Sequence, residues 1–163
     1  MKGNKKVIDH LQKLLNGELA ARDQYMAHSR MYRDWGLLRL YERLNHEMEE
    51  ETEHADALIE RMQFLETQPD FSQQDKVRVG KNVKEMLKSD LAVEYEVTAA
   101  LKEAIKACEK AQDYDTRKML VKLLDDTEMD HAYWLEKQLG LIEMIGLPNY
   151  LQSQMGDSGP GPA

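Results

Sequence analysis

The chain has 163 residues, a length typical of a single domain. Acidic residues outnumber basic ones by 30 to 22, and the formal net charge of −8 argues against a partner bound through nucleic-acid phosphates. Cys108 is the single cysteine, which excludes a disulfide within the chain. Without a signal-peptide-like N-terminus or an apolar run of membrane-spanning length, we expect a cytoplasmic protein with no membrane partner.

Apolar residues recur every three or four positions in four long windows, which predicts four amphipathic helices. The windows cover approximately residues 5–33, 37–66, 82–112 and 114–145. Short breaks at residues 34–36 and near Asp113 predict two antiparallel helical hairpins. Residues 149–155 are predicted to form a short fifth helix after Gly146 and Pro148 have ended the fourth.

The link between the second and third helices, residues 67–81, is long enough to decide the topology. At roughly 3.3 Å per residue it can span about 50 Å, whereas a helix of about 28 residues is only about 42 Å long. The link can therefore run along the bundle and leave the second and third helices parallel. We predict an all-α, ferritin-like four-helix bundle with one long crossover and a short C-terminal helix. This domain covers residues 1–155, and residues 156–163 form a flexible tail.

Two Glu-x-x-His motifs carry the chemistry of the chain. Glu18 stands 33 residues before Glu51 of the first motif, and Glu94 stands 34 residues before Glu128 of the second. All of these side chains fall on apolar stripes, where an ionised carboxylate is costly unless it is paired or coordinates a metal. The predicted metal ligands are Glu18, Glu51, His54, Glu94, Glu128 and His131.

This set of four carboxylates and two imidazoles is typical of a di-iron site inside a four-helix bundle. A workable assignment gives one iron Glu18 and His54, gives the other Glu94 and His131, and lets Glu51 and Glu128 bridge. Zinc or manganese could also occupy such a site. Two adjacent Fe(II) ions can give two electrons to one molecule of oxygen or peroxide, so the same six residues are the predicted catalytic residues.

Three further residues have two interpretations each. Tyr25 lies two turns after Glu18, where it either serves the site as an electron donor or hydrogen-bond partner, or is a core tyrosine. His46 and Glu50, four positions apart, either form an iron site that faces a cavity or belong to a solvated polar face.

The sequence resembles the bacterioferritins over nearly its whole length. The resemblance is carried by VIDHLQKLLNGELAARDQY, MYRDWGLLRLYERLNHEMEEETEHAD, EMLKSDLAVE and DTEMDHAYWLEKQLGLIEMIGLPNYLQSQ. It implies a cage of twenty-four subunits that oxidises Fe(II) with O2 or H2O2 and stores a ferric mineral. The iron ligands of the family match the six residues named above. The family's inner-surface iron site matches His46, although Glu50 stands where an aspartate is common.

The family also binds haem b between two subunits, through a methionine sulfur from each. Thr52 occupies the matching position, and a hydroxyl cannot replace a thioether as the axial ligand. Met48 and Met31 could lie near that surface, but the motif places neither of them at the haem. We therefore expect a homo-oligomer of this chain to bind haem weakly or not at all. A further hypothesis is that this subunit co-assembles with a haem-binding subunit.

Two alternatives to an iron-storing ferroxidase use the same bundle. One is a di-iron oxidase or peroxidase without storage, although the chain has no cysteine motif or additional domain for an electron-transfer partner. The other is a structural cage subunit whose site is empty or holds a redox-inert metal, and which assembles with a haem-binding subunit.

Overall fold

The computed structural model describes residues 1–156, and these residues are almost entirely helical. The helices are α1 (Lys5–Asp34), α2 (Leu38–Phe64), α3 (Val83–Lys110), α4 (Tyr114–Asp125), α5 (Tyr133–Ile145) and α6 (Leu147–Ser153). A π-helical stretch, Asp126–Ala132, joins α4 to α5 without a break, so these three pieces form the fourth helix of the bundle. The predicted flexible tail lies outside the described residues, apart from Gly156.

Contacts of α1 determine the directions of the first three helices. The Gly3 N–H, just before α1, donates to the carbonyl of Leu65 at the end of α2, so α1 and α2 are antiparallel. Helix α3 is antiparallel to α1 as well, because positions later in α1 meet positions earlier in α3. The pairs are His28 with Asp90, Tyr25 with Glu94 and Gly17 with Val97. It follows that α2 and α3 are parallel, as the long link predicted.

The fourth helix of the bundle runs antiparallel to α3. Three side-chain pairs join them at successive levels, and these are Lys84 with Glu143, Tyr95 with Glu136 and Lys102 with Glu128. The bundle therefore has the single-crossover topology of ferritin-like folds. Four helices surround one interior, which is where the candidate ligands on α1, α2 and α3 point.

The crossover from α2 to α3 is fastened along α1 rather than free. A 3₁₀ turn, Phe71–Gln73, is its only regular element within the described residues. Backbone N–H groups of the crossover donate to α1 at four successive levels, namely Asp70 to Gln12, Asp75 to Asn16, Arg78 to Gln24 and Gly80 to His28. Satisfying these backbone groups keeps a long irregular segment in one place.

His28 is the innermost of these attachment points. Its ring is fully buried, with Nδ1 2.8 Å from Asp90 and Nε2 accepting the Gly80 N–H at 3.0 Å. Gln24 donates to the same carboxylate at 2.7 Å. A side chain at position 80 would collide with the backbone of Met86, so glycine is required for this approach. The partners of His28 come from α3 and the crossover, so this histidine joins three parts of the fold in its interior.

Helix ends follow the local chemistry of the sequence. Asn4, Asn82 and Asp113 accept backbone N–H groups as the N-caps of α1, α3 and α4. Gly146 ends α5 with a φ of 79°. Helix α6 begins at Leu147, two residues earlier than predicted, because Pro148 is well tolerated in a first turn. The buried Tyr150 then anchors α6 by donating to Gln138.

One hydrophobic core runs through the bundle. It is formed mainly by leucines from all four helices, and it also holds the Cys108 thiol, which is completely buried. Along residues 1–156, none of the helices combines the length and the apolar character that crossing a membrane requires.

Candidate metal centre

Five of the six predicted ligands meet in the middle of the bundle. They come from different helices, with Glu18 on α1, Glu51 and His54 on α2, Glu94 on α3 and His131 on the π-helical stretch. Each of the five side chains is almost fully buried. The helices supply both the spacing and the burial, since residues three positions apart on α2 project from one face.

The five residues form two groups that share Glu51. In the first group, Glu18, Glu51 and His54 have ligand atoms within 4.8 Å of one another. In the second, the same limit holds for Glu51, Glu94 and His131. His54 Nδ1 lies 3.2 Å from one Glu51 oxygen, and His131 Nδ1 lies 2.9 Å from the other. The two oxygens of Glu51 therefore face the two halves of the cluster separately.

Burial makes three negative charges at this place unfavourable. Desolvation raises the pKa of Glu18, and the negative charges of Glu51 and Glu94 add to the increase. Desolvation and repulsion by Glu51 raise the pKa of Glu94 to about 7. Both carboxyl groups consequently hold protons more tightly than a glutamate in water does.

The charge of Glu51 is compensated inside the cluster. Burial acts against its ionised form, but interactions with the Glu18 carboxyl and both imidazoles outweigh it and hold the Glu51 pKa below its usual range. Burial likewise opposes the charged forms of the imidazoles, yet contacts with Glu51 raise the pKa of His54, and contacts with Glu47, Glu51 and Glu94 raise that of His131.

These residues fit divalent cations. Among residues 1–156, Glu18 Oε1 and His131 Nδ1 are buried without a hydrogen-bond partner of acceptable geometry, which is costly for isolated polar atoms. The raised pKa values of both imidazoles and of Glu18 and Glu94 show that this place favours added positive charge. Two divalent cations would supply that charge directly, and carboxylate oxygens with imidazole nitrogens suit iron, manganese or zinc.

Glu128, the sixth predicted ligand, does not lie in this cluster. Its side chain is half-exposed and pairs with Lys102 of α3, at 2.8 Å between the carboxylate and Nζ. Asp126, two residues earlier, instead approaches His54 Nε2 at 3.4 Å. The expectation that Glu128 lies on a buried stripe fails because the π-helical stretch changes the direction in which it projects.

A third group of ligand atoms lies beside these two and shares His131 with the second. It consists of Glu47, Glu50, Asp130 and His131, again within 4.8 Å of one another. His131 Nε2 is 2.6 Å from Glu47 and 2.8 Å from Glu50. Glu47 is not among the predicted ligands, although it lies one helical turn before Glu51 on the same face, a spacing that could have identified it.

The predicted pair of His46 and Glu50 is also present, at 3.1 Å between Nε2 and a carboxylate oxygen. His46 is more than half exposed, whereas Glu50 turns its other oxygen towards His131. Glu50 thus connects the exposed histidine to the buried one. Arg43 balances the acidic group, with Nε 2.5 Å from Glu47 and Nη2 3.0 Å from Asp130.

Tyr25 and Thr52 occupy very different surroundings. The Tyr25 ring is buried and its hydroxyl donates to Glu94, in direct contact with the cluster. Desolvation, with repulsion by Glu94, raises the pKa of Tyr25 and keeps the phenol protonated. Thr52 is exposed on α2, where its hydroxyl donates to the Met48 carbonyl at 3.0 Å. Its side chain offers a hydroxyl group and contains no sulfur.

Comparisons with known proteins show the family to which the chain belongs. Residues 8–145 match the Ferritin-like domain family. A bacterial ferritin of Synechocystis sp. is 67% identical over 155 residues, which cover 95% of this chain and 99% of the relative. A bacterial ferritin of Pseudomonas aeruginosa is 58% identical over the same share of this chain and 100% of its own. The chain belongs to the ferritin family. A bacterioferritin of Brucella melitensis, 42% identical over 152 residues that cover 93% of this chain and 94% of its own, places it with the bacterioferritin-type members.

The buried charge at the centre of the bundle is compatible with membership of the ferritin family. A helical bundle of this size can fill its interior with apolar residues alone, and unpaired buried carboxylates only reduce its stability. In a bacterioferritin-type chain, their burial at a site that fits cations is the expected arrangement.

Proposed function

We propose that this chain is an iron-storage ferroxidase, which oxidises Fe(II) at the buried cluster and stores the ferric product in a cage. The observation that carries the proposal is the sharing of Glu51 between the two groups of ligand atoms. A carboxylate with one oxygen facing each group suits two metal ions held side by side. The similarity to bacterial ferritins supports iron as the metal and storage as the outcome.

The reaction consumes Fe(II), the oxidant and two protons. Two Fe(II) ions lose two electrons, which together with two protons reduce one O2 to H2O2, or one H2O2 to two molecules of water. The protein's contribution is to hold the ions together and to leave coordination positions open. Glu18 and His54 would bind one ion, Glu94 and His131 the other, and Glu51 both.

Protons have a defined place in this proposal. Cation binding displaces those that Glu18, Glu94 and the imidazoles hold, since metal ligands must be deprotonated. Tyr25 donates its O–H to Glu94, which orients that carboxylate and places a phenol next to the reacting ions as a candidate electron source.

Rapid-mixing measurements of Fe(II) oxidation test the assignment. Replacing Glu18 or His54 by Ala should abolish the rapid phase with either O2 or H2O2, because one ion loses a ligand. Glu53→Ala is the matched control, since this exposed glutamate lies beside His54 on α2 outside the cluster. A rapid phase that survives in the Glu18 and His54 variants would refute the site, and a small particle without a soluble ferric core would favour an oxidase without storage.

The third group of ligand atoms, which contains Glu47 and Glu50, is proposed as the route from this site to the interior of the cage. Glu47, Glu50 and His131 lead from the buried cluster towards the exposed His46, so iron would pass along carboxylates rather than through apolar packing. The family's inner-surface iron site matches His46, and Glu50 would serve there with a side chain one methylene longer than aspartate.

For haem, the residues present do not fit the family's ligation. Thr52 offers a hydroxyl that is already engaged with the Met48 carbonyl, and the Met48 sulfur lies 3.9 Å from an Arg30 nitrogen. We propose that a homo-oligomer of twenty-four copies carries no stoichiometric haem, and that haem in native cages comes from a second, methionine-bearing subunit.

A further inference from the structure

Lys102 holds the one predicted ligand that lies outside the cluster. It stands eight residues after Glu94, so the two side chains leave α3 on the same side, about two turns apart. Its ammonium group lies 2.8 Å from the Glu128 carboxylate, and the two side chains are 54% and 41% exposed. Glu128 is therefore held outside the cluster, against α3, the helix that also carries Glu94.

The backbone around Glu128 is the irregular part of the bundle. Asp126–Ala132 forms π-helical hydrogen bonds between α-helical stretches on both sides. Such π-helical insertions are frequent at functional sites, and a change between π and α hydrogen bonding redirects the side chains within them. In this arrangement Asp126 faces His54 while Glu128 faces Lys102, so the stretch presents one acidic residue to the cluster and a second to α3.

We propose that Lys102 is a positioning residue that competes with metal for Glu128 and so controls whether the cluster has this additional carboxylate. The proposal rests on the cation site described above. An exposed ion pair is weak, so Glu128 can leave Lys102 at little cost when two divalent charges attract it. Release of one carboxylate then couples the filling of the site to the conformation of residues 126–132.

Cobalt(II) binding to the assembled full-length protein measures the competition without any turnover. Lys102→Ala should lower the Kd for Co2+ by roughly two- to fivefold, the range expected from removing one exposed ion pair. Lys102→Arg retains the positive charge and the pairing, so it should bind Co2+ as the wild type does. Lys106→Ala is the matched control, because Lys106 lies one turn further along α3 and pairs with Glu103 on the surface.

A double-mutant cycle separates competition for Glu128 from a general effect of charge. Removing any nearby ammonium group favours a cation, but only competition requires the Glu128 carboxylate. Lys102→Ala should therefore have no effect on the Co2+ Kd in a Glu128→Gln background. If the same two- to fivefold change persists there, the proposal is wrong.

Hydrogen exchange at residues 126–132 provides a second readout. Lys102→Ala should speed exchange of these backbone amides in Co2+-free buffer, since the stretch has lost one attachment to α3, and Lys106→Ala should not. Unchanged exchange in the Lys102 variant would count against the proposal.

The experiment also distinguishes failure of this inference from failure of the proposed function. If His54→Ala leaves Co2+ binding intact, the cation site itself is wrong and the role of Lys102 fails with it. If His54→Ala weakens Co2+ binding while Lys102→Ala matches the wild type, only the role of Lys102 is refuted.

Discussion

At the scale of single residues, the proton on Glu94 connects the electrostatics of the cluster to its use. The Glu94 pKa of about 7 means that its carboxyl is largely protonated in mildly acidic solution. Because a metal ligand must be deprotonated, cation affinity should fall as the pH decreases through 7. In cation-free buffer the folded chain binds the additional proton between the usual glutamate pKa and 7, so folding stability should decline as the pH rises through that window.

Replacing Tyr25 by Phe should move this pH dependence upwards. The phenol donates to Glu94 and favours its ionised form, so removing it raises the Glu94 pKa, by about one unit for one hydrogen bond to a charged group. Co2+ titrations at a series of pH values measure the midpoint. Tyr32→Phe is the control, since this buried hydroxyl lies on the same helix without a partner among residues 1–156. Equal midpoints in the Tyr25 variant and the wild type would contradict the role given to Tyr25.

Helical spacing in the sequence predicted the positions of Glu18, Glu51, His54 and Glu94 because these four residues lie on regular α-helices. Glu18, Glu51, His54 and Glu94 project as α-helical spacing requires, and the structure brings them together. Glu128 was misplaced because periodicity assumes 3.6 residues per turn, whereas the π-helical stretch has a wider turn that shifts the phase of the side chains. Single-chain periodicity contains no signal for such a stretch.

At the scale of the elements, the crossover depends on a histidine whose contacts the helical periodicity of the sequence could not predict. His28 bonds to Asp90, which is 62 positions away, and to the backbone of Gly80. Helix lengths and the long link follow from local periodicity and chain geometry, which explains why the topology was predictable. The fastening of that link to α1 depends on contacts distant in sequence, and those were not.

His28→Ala should destabilise the bundle by about 3 kcal/mol, because the buried Asp90 carboxylate loses a partner. The crossover residues near Gly80 should also exchange their amide hydrogens faster. Thermal unfolding at a fixed protein concentration, together with hydrogen exchange, measures both effects. His10→Ala serves for comparison, since this partly exposed histidine is on the same helix. Equal losses of stability in the two variants would show that the buried pair has no special role.

At the scale of the whole molecule, the bundle combines a site that fits iron with a surface that lacks the haem ligand. The two features are independent, since the cluster lies inside the bundle and Thr52 lies outside it on the same turn of α2. The buried side chains around His54 belong to the cluster, whereas Thr52 is exposed on the opposite side of the helix surface. The proposed absence of haem therefore requires no change at the proposed oxidation site.

Thr52→Met should give the homo-oligomer the ability to bind haem through paired methionine sulfurs, with no change in rapid Fe(II) oxidation. Haem content and the visible spectrum of the purified particle measure the gain. Thr52→Leu separates the sulfur from mere bulk and should remain free of haem. Stoichiometric haem in the wild-type homo-oligomer, or none in the Thr52→Met variant, would contradict the interpretation of this position.

The burial of Cys108 has a consequence for the durability of the particle. Desolvation raises the pKa of this thiol to about 11, so at neutral pH it is almost never the thiolate that peroxide attacks. The chain's only cysteine is thus protected from oxidation in a protein proposed to react with oxidants repeatedly. Repeated exposure to oxidants should therefore leave the Cys108 thiol free of sulfenic acid and of cross-links to neighbouring subunits.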